Sequence, residues 1–427
     1  MKFFLPLLLC ITTTSFGQKA LKLINQKETE RIERILSADE MKGRKTFSPE
    51  IEKAASFIAS EFEKNGLQKW SGSNSYLQQF FMVGRKPISK TGKINNSLIE
   101  NNNIIVISPK AELQINDQSG YEILNFGKDK NLMQSIRKIM GAEKNTIVFA
   151  DTSNAKLFAR LSQMNSPIFS NHADIILVMT TEAPTNFEFD IKQEVSNQPL
   201  ANVVGIIPGK SKPNEYVIFS GHYDHIGINS NKMVNNDSIY NGANDDAAGT
   251  TAVIMLSKYY KELNDNERTL IFTTFTAEEV GGYGAQYFSQ QFNPNQVVAM
   301  FNIEMIGTES KWGKNSAYIT GFEKTDMGAL LQKNLGGTGF NFYPDPYPDQ
   351  NLFYRSDNAT LARLGVPAHT ISTSKMDSEP NYHKASDEIG TLDMENMTAI
   401  IRAIALSAKG IVDGKDTPTR VDTSTLK

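Results

Sequence analysis

Apolar positions in this chain follow two rhythms, and from about residue 200 onward the two alternate. Ala201 to Ile207 and Tyr216 to Ser220 are apolar runs of strand length; Ala247 to Tyr260 then places Ala252, Val253, Met255, Leu256 and Tyr259 on one side of a helix. Thr269 to Phe275 predicts a strand, Gly284 to Gln291 a helix and Val297 to Ile303 a strand. Ser316 to Thr320 predicts a further strand and Met327 to Asn334 a helix that Gly336-Gly337 ends. Asp357 to Leu364 predicts a short helix, Ala368 to Ser372 a strand and Glu395 to Ile411 a long closing helix. Strands alternating with helices imply an α/β fold: a mostly parallel, mixed sheet with helices on both faces. Ligands of such sheets gather beyond the carboxyl ends of the strands.

Earlier in the chain the helical rhythm comes first. Ile32, Ile35 and Leu36 fall at helical spacing between Gln26 and Leu36, and Ser48-Pro49 opens a second helix at Ile51, serine as N-cap and proline at the first turn. Ala54, Ala55, Ile58 and Phe62 form its apolar face, and Asn65-Gly66 stops it. Between Leu77 and Gln198 only short β-like runs stand out, Asn103 to Ser108, Thr146 to Ala150 and Ala173 to Met179. This stretch predicts an inserted, smaller α+β or lid-like domain. It holds no metal or nucleophile motif, and His172 reads as a structural or surface histidine. The expected organisation is a leader over 1–17, an N-terminal part of the main domain over 18–76, the insertion over 77–198, the main domain over 199–415 and a tail over 416–427.

Composition narrows the class. A chain of 427 residues exceeds the usual single-domain range, and 40% hydrophobic with 21% charged residues is ordinary for a globular protein. A net charge of −3 supplies no basic footprint, so nucleic acid is not an expected partner. Lys2 precedes an apolar run from Phe3 to Ile11 that is short for a bilayer span, and the small residues Ser15 and Gly17 precede Gln18. This is the pattern of a cleaved secretory signal peptide. The expectation is an exported protein, periplasmic or secreted, with no stable membrane association after cleavage. Cys10 is the only cysteine, so a chain beginning at Gln18 would have neither disulfides nor cysteine chemistry.

Candidate chemistry sits after the predicted strands. In His222-Tyr223-Asp224, period-two geometry puts His222 and Asp224 on one side of an extended segment, where the imidazole can bind metal and the carboxylate can orient its ring. Asn244-Asp245-Asp246 precedes a helix rich in small residues; Asp245 reads as a bridging ligand, and Asp246 as a helix cap. Glu278-Glu279 follows the strand ending at Phe275, with Glu279 assigned to metal and Glu278 left free as general base. Glu304 is one carboxylate inside an apolar run, a costly position that metal ligation would offset. His383, in a loop before the closing helix with Asp387 nearby to support it, completes the set; His225 reads as a residue that supports a ligand or lines the pocket, and His369 as a core residue. A carboxylate-rich site with few imidazoles suits a pair of divalent ions sharing one carboxylate.

At these residues the chain resembles metallopeptidase family twenty-eight, the co-catalytic zinc exopeptidases, over Leu36 to Arg44 with its following helix and from Asn202 to the closing helix. The resemblance implies two Zn2+, one on His222, Asp245 and Glu304 and the other on Asp245, Glu279 and His383. It also implies Glu278 as base, Asp224 behind His222, a peptide substrate and most often aminopeptidase activity. Three positions depart from the family pattern: Glu304 stands where aspartate is usual, Asn244 where an aspartate adjoins the bridging ligand, and Asn358 where many relatives have histidine. A carboxypeptidase or dipeptidase of the same family, a glutaminyl-cyclase-like acyltransferase with one zinc, and a non-catalytic binding module on the same fold are the alternatives. The aromatic and proline-rich loop from Phe342 to Tyr354 is a candidate specificity wall.

Overall fold

Alternation after residue 200 becomes, in the computed structural model, a sheet of the order Asn341–Pro344, Ser316–Ile319, Ala368–Ser372, Val297–Ile303, Lys212–His222, Arg268–Phe275 and the end of Phe187–Ile207. The structure describes residues 19–70, 72–128 and 130–426, so the expected leader lies outside the described residues. Lys212–His222 runs parallel to Arg268–Phe275 and to Val297–Ile303, which is parallel to Ala368–Ser372. The sheet is mixed because Ser316–Ile319 is antiparallel to Ala368–Ser372, and Val203 to Ile207 are antiparallel to Arg268–Phe275.

Both faces of this sheet are apolar because successive strand residues serve different cores. Val217, Phe219, Leu270 and Phe272 pack with helices Gln26–Leu36, Pro49–Lys64, Ala248–Leu263 and Met394–Ser407, whereas Ile218, Ile271 and Met300 pack with Tyr283–Ser289 and Asn358–Ala362. Strands buried on both sides read as continuous apolar runs, which is why they stand out in the sequence. The expected closing helix is two, Met394–Ser407 and Lys409–Val412, and the strand Asn341–Pro344 was not expected. The start of the expected tail is tied to this unit: Arg268 donates to Asp416 O at 2.6 Å and to Thr417 Oγ1 at 2.7 Å.

By its contacts the chain divides into one unit of residues up to Gln79 and from Leu200 onward, and a second of Phe80–Pro199. The second unit has its own sheet, ordered Ile104–Ile107, Ile175–Met179, Thr146–Ala150, Glu122–Phe126. One face packs on helices Leu132–Met140 and Ala155–Leu161 through Val148, Leu177, Ile139 and Phe158. The other packs on Leu113, Ile115, Phe189 and Ile191 of the antiparallel pair Glu112–Asn116 with Phe187–Ile207. His172 lies here with its ring nitrogens against Ala173 O and Met140 O, a structural placement.

Candidate metal centre

Parallel strands bring their carboxyl ends into register. His222 ends its strand opposite Phe275, three residues before Glu278, and Ser220 pairs with Asn302, two before Glu304. Asp246 ties these ends to the helix that follows it. Its Oδ2 accepts the His222 N–H at 3.1 Å, and its Oδ1 accepts those of Gly249 at 3.0 Å and Met305 at 3.1 Å. Capping is thus half of its role; it also fixes two strand ends. Gly249 is required by this close approach, since a Cβ there would lie 2.0 Å from Ile303 O and 2.4 Å from the Asp246 carboxylate. Asn244 accepts the Gly307 N–H through Oδ1 at 2.8 Å, a fastening for the next loop. Asp387 was expected beside His383. Its carboxylate instead accepts the N–H groups of Asn244 and Asp245 at 2.8 and 3.0 Å, so it holds the Asp245 loop.

Side chains on these fixed ends converge. His222, Asp245 and Glu304 offer ligand atoms that all lie within 4.8 Å of one another, and so do His225, Asp245 and Glu279. His222 Nε2 is 3.2 Å from Asp245 Oδ1, and His383 Nε2 is 3.2 Å from both Asp245 Oδ2 and Glu279 Oε2. Ligands ~2.0–2.1 Å from a tetrahedral zinc stand about 3.3 Å apart, so these separations are the edges of such a shell. His222 Nε2 and Glu304 Oε2 are buried yet have no hydrogen-bond partner among the described residues. Buried polar atoms are normally bonded; these two point where a cation would bind them. The donor set therefore fits metal, with one Asp245 oxygen toward each group.

The surroundings differ from the sequence reading in two details. His222 Nδ1 meets the backbone carbonyl of Asp224 at 3.1 Å, while the Asp224 carboxylate stands off at 3.8 Å. That carboxylate accepts the Glu278 N–H at 3.0 Å, the Glu279 N–H at 3.3 Å and the Thr46 hydroxyl at 2.9 Å, so it orients the Glu278-Glu279 turn. His225, read as supporting a ligand or lining the pocket, contacts Glu279 Oε1 through Nδ1 at 2.6 Å and also offers a ligand atom within 4.8 Å of those of Asp245 and Glu279. Arg44 is fully buried and donates to Tyr223 O, Leu36 O, Asn241 O and Gly242 O at 2.6–2.8 Å. It clamps the His222 strand end to the Asp245 loop. The sequence signal for it is a lone Gly43-Arg44 in the resembling segment. Asn358 bonds Phe353 O, Ala368 O and Thr370 within the core, and His369 is satisfied by Thr320 O and Thr325. Of the aromatic loop, Leu352 reaches the cleft beside Glu304.

Electrostatics agree with a missing positive charge being needed. Burial pushes Glu278, Glu304 and Asp246 above the usual carboxylate range, and neighbouring carboxylates push them further. Burial opposes charge on His222 and His383 too, yet Asp245 and its neighbours hold His222 well above its ordinary value and bring His383 to about 10. So many acids in one low-dielectric place cannot all ionise unless cations join them.

Fold and site together define a carboxylate-imidazole centre at the strand ends of a mostly parallel α/β sheet. Residues 202–408 match the model of peptidase family M28. A probable leucine aminopeptidase of Trichophyton verrucosum is 27% identical over 216 residues, 48% of this chain and 56% of that protein. A probable zinc metalloprotease of Pyrenophora teres f. teres is 25% identical over 207 residues, 47% of this chain and 44% of that one. The chain spans about half the length of the curated relatives it matches. An aminopeptidase from Aneurinibacillus sp. strain AM-1 superposes with a TM-score of 0.55 over 96% of this chain and 98% of that one, at 18% identity, a likeness of fold.

Proposed function

We propose that this chain is an exported, zinc-dependent exopeptidase, an aminopeptidase, that carries two zinc ions: one on His222, Asp245 and Glu304, the other on Asp245, Glu279 and His383. The observation that carries it is the set of 3.2 Å separations around Asp245, ligand spacings shared between two groups by one carboxylate. His225, bonded to Glu279, steadies the second group. When bound, zinc supplies Lewis acidity toward a peptide carbonyl and acidifies water.

The chain's own residues do the rest. Glu278 lies in neither ligand group, which leaves its carboxylate to take the proton of the attacking water and deliver it to the departing amine. The Asp224 carboxylate fixes the turn that aims Glu278. The Asp224 carbonyl takes the Nδ1 proton of His222, leaving Nε2 as the ligating nitrogen. Export is supported by Lys2, the apolar run to Ile11 and the small residues before Gln18.

The test is metal content and hydrolysis together. Residues 18–427 are purified, zinc is counted, and aminoacyl and N-blocked peptides are assayed with and without chelator. Two zinc per chain with chelator-sensitive release from free N-termini only is the expected result. Cleavage of N-blocked peptides from the other end makes it a carboxypeptidase, metal without cleavage moves it to the cyclase class, and no metal under zinc-replete conditions rejects the centre. Mass spectrometry of the exported protein should find Gln18 as the first residue.

A further inference from the structure

We propose that the substrate residue entering the cleft beside Glu304 carries a carboxylate, and that the Arg355 guanidinium binds it. On the aminopeptidase reading, on which this rests, that carboxylate is the side chain of an N-terminal aspartate or glutamate. The cleft, partly open to solvent, is lined by both Glu304 and Arg355. Its wall is mixed, apolar at Met305, Leu352 and Met376 and polar at Thr320 and Ser372, with Arg355 as its cation among the described residues.

Arg355 is both anchored and available. Its neighbour Ser356 accepts a 2.6 Å bond from Asn302, on the strand that leads to Glu304. Its exposed guanidinium makes long bonds to neutral groups: Nη1 to Gln350 O at 3.5 Å and Oε1 at 3.2 Å, and Nη2 to the Tyr382 hydroxyl at 3.4 Å. Among the described residues no carboxylate pairs with it. Tyr382 in turn stacks on the His383 ring at 3.9 Å between centroids, so this cation is one side chain away from the ligand cluster. A guanidinium held by weak neutral acceptors keeps its fork for a carboxylate, which it can bind through two parallel bonds. The cleft then runs from the proposed ligand Glu304 to a cationic side at Arg355, and the acidic side chain of a residue seated at the ligand cluster would meet that guanidinium.

The experiment uses the zinc-loaded chain and the anilides of Glu, Gln, Leu and Lys, with Leu-Gly and Leu-Gly amide as a second pair. Glu should exceed Gln in kcat/KM by about 10- to 100-fold, the worth of a charge-assisted bond. That ratio should approach one in Arg355→Gln and turn toward Lys in Arg355→Glu. Equal rates for Glu and Gln in the unaltered protein, or an unchanged ratio in Arg355→Gln, overturn the proposal. Dependence on the free carboxylate of Leu-Gly, lost in Arg355→Gln, would assign Arg355 to a backbone carboxylate instead and overturn the side-chain assignment. Calorimetric binding of glutamate and glutamine hydroxamates reads the same discrimination without turnover. If no free-amine substrate is cleaved but glutamate hydroxamate still binds preferentially through Arg355, the aminopeptidase reading fails and the carboxylate site stands.

Discussion

Asp174 and Glu304 are acidic groups in different units, and they are answered in different ways. Asp174, 1% exposed, takes bonds from Ser108 at 2.6 Å, Lys110 at 2.7 Å and Tyr121 at 2.8 Å. Burial and that bond hold the Tyr121 hydroxyl above its ordinary value, so it stays a donor. Glu304 Oε2 is buried with no partner, in a neighbourhood of other carboxylates. A third case is Glu33, fully buried with one bond from Thr251 and a carboxyl that burial pushes up to about 8, so it is held neutral by a proton. Donors, a cation and a proton are the three ways a buried acid is tolerated. The carboxylate oxygen that no protein donor reaches marks where function lies.

The largest effect should separate chemistry from ligation. Glu278→Gln should lower kcat by about 10²- to 10⁴-fold while zinc content stays unchanged; loss of zinc in that variant would place Glu278 among the ligands. Glu304→Leu should weaken zinc by at least the ~10- to 100-fold typical of losing a supporting contact, and the unfolding midpoint should then respond less to added zinc. An unaltered zinc titration would end the contrast between Glu304 and Asp174.

Asp174→Asn should cost about 1–3 kcal/mol in urea unfolding and leave zinc stoichiometry alone. Lys110 is 55% exposed, so most of that cost comes from the Ser108 and Tyr121 bonds. The last effect concerns pH. The folded Glu33 carboxyl keeps its proton to about 8, whereas the unfolded one releases it near 4.5. The folded state therefore binds the extra proton between those values, and stability falls as pH rises through that window, with a slope of at most ~1.4 kcal/mol per pH unit. Comparing urea midpoints of the zinc-loaded protein at pH 5 and pH 8 should show that decline, and Glu33→Gln should flatten it.

Legibility in the sequence followed what each residue bonds to. The five proposed ligands were readable because each is a metal-binding side chain at the end of an apolar run or, for His383, in a loop beside acidic and aromatic residues. Arg44, Asp387 and Asp246 act by gathering backbone groups far along the chain, Arg44 on Tyr223 O and Asp387 on the Asn244 and Asp245 amides. Backbone donors and acceptors leave no trace in residue types, so their tasks were missed or misassigned. Strands buried on both faces were readable as apolar runs. In Phe187–Ile207 the alternation of Phe187, Phe189 and Ile191 with Glu188, Asp190 and Lys192 is a strand signal, but the polar stretch Glu194 to Gln198 breaks it up, and the strand's length was not seen.

The ligand residues come from separate turns of the chain, and Asp246 joins amides of three different elements beneath them. No short stretch of this chain contains a metal site by itself. Newly made protein would thus have to complete its sheet before it could capture either ion with this geometry. Acquisition of metal would then be the last event of maturation, and a chain emptied by a chelator should regain its ions without refolding.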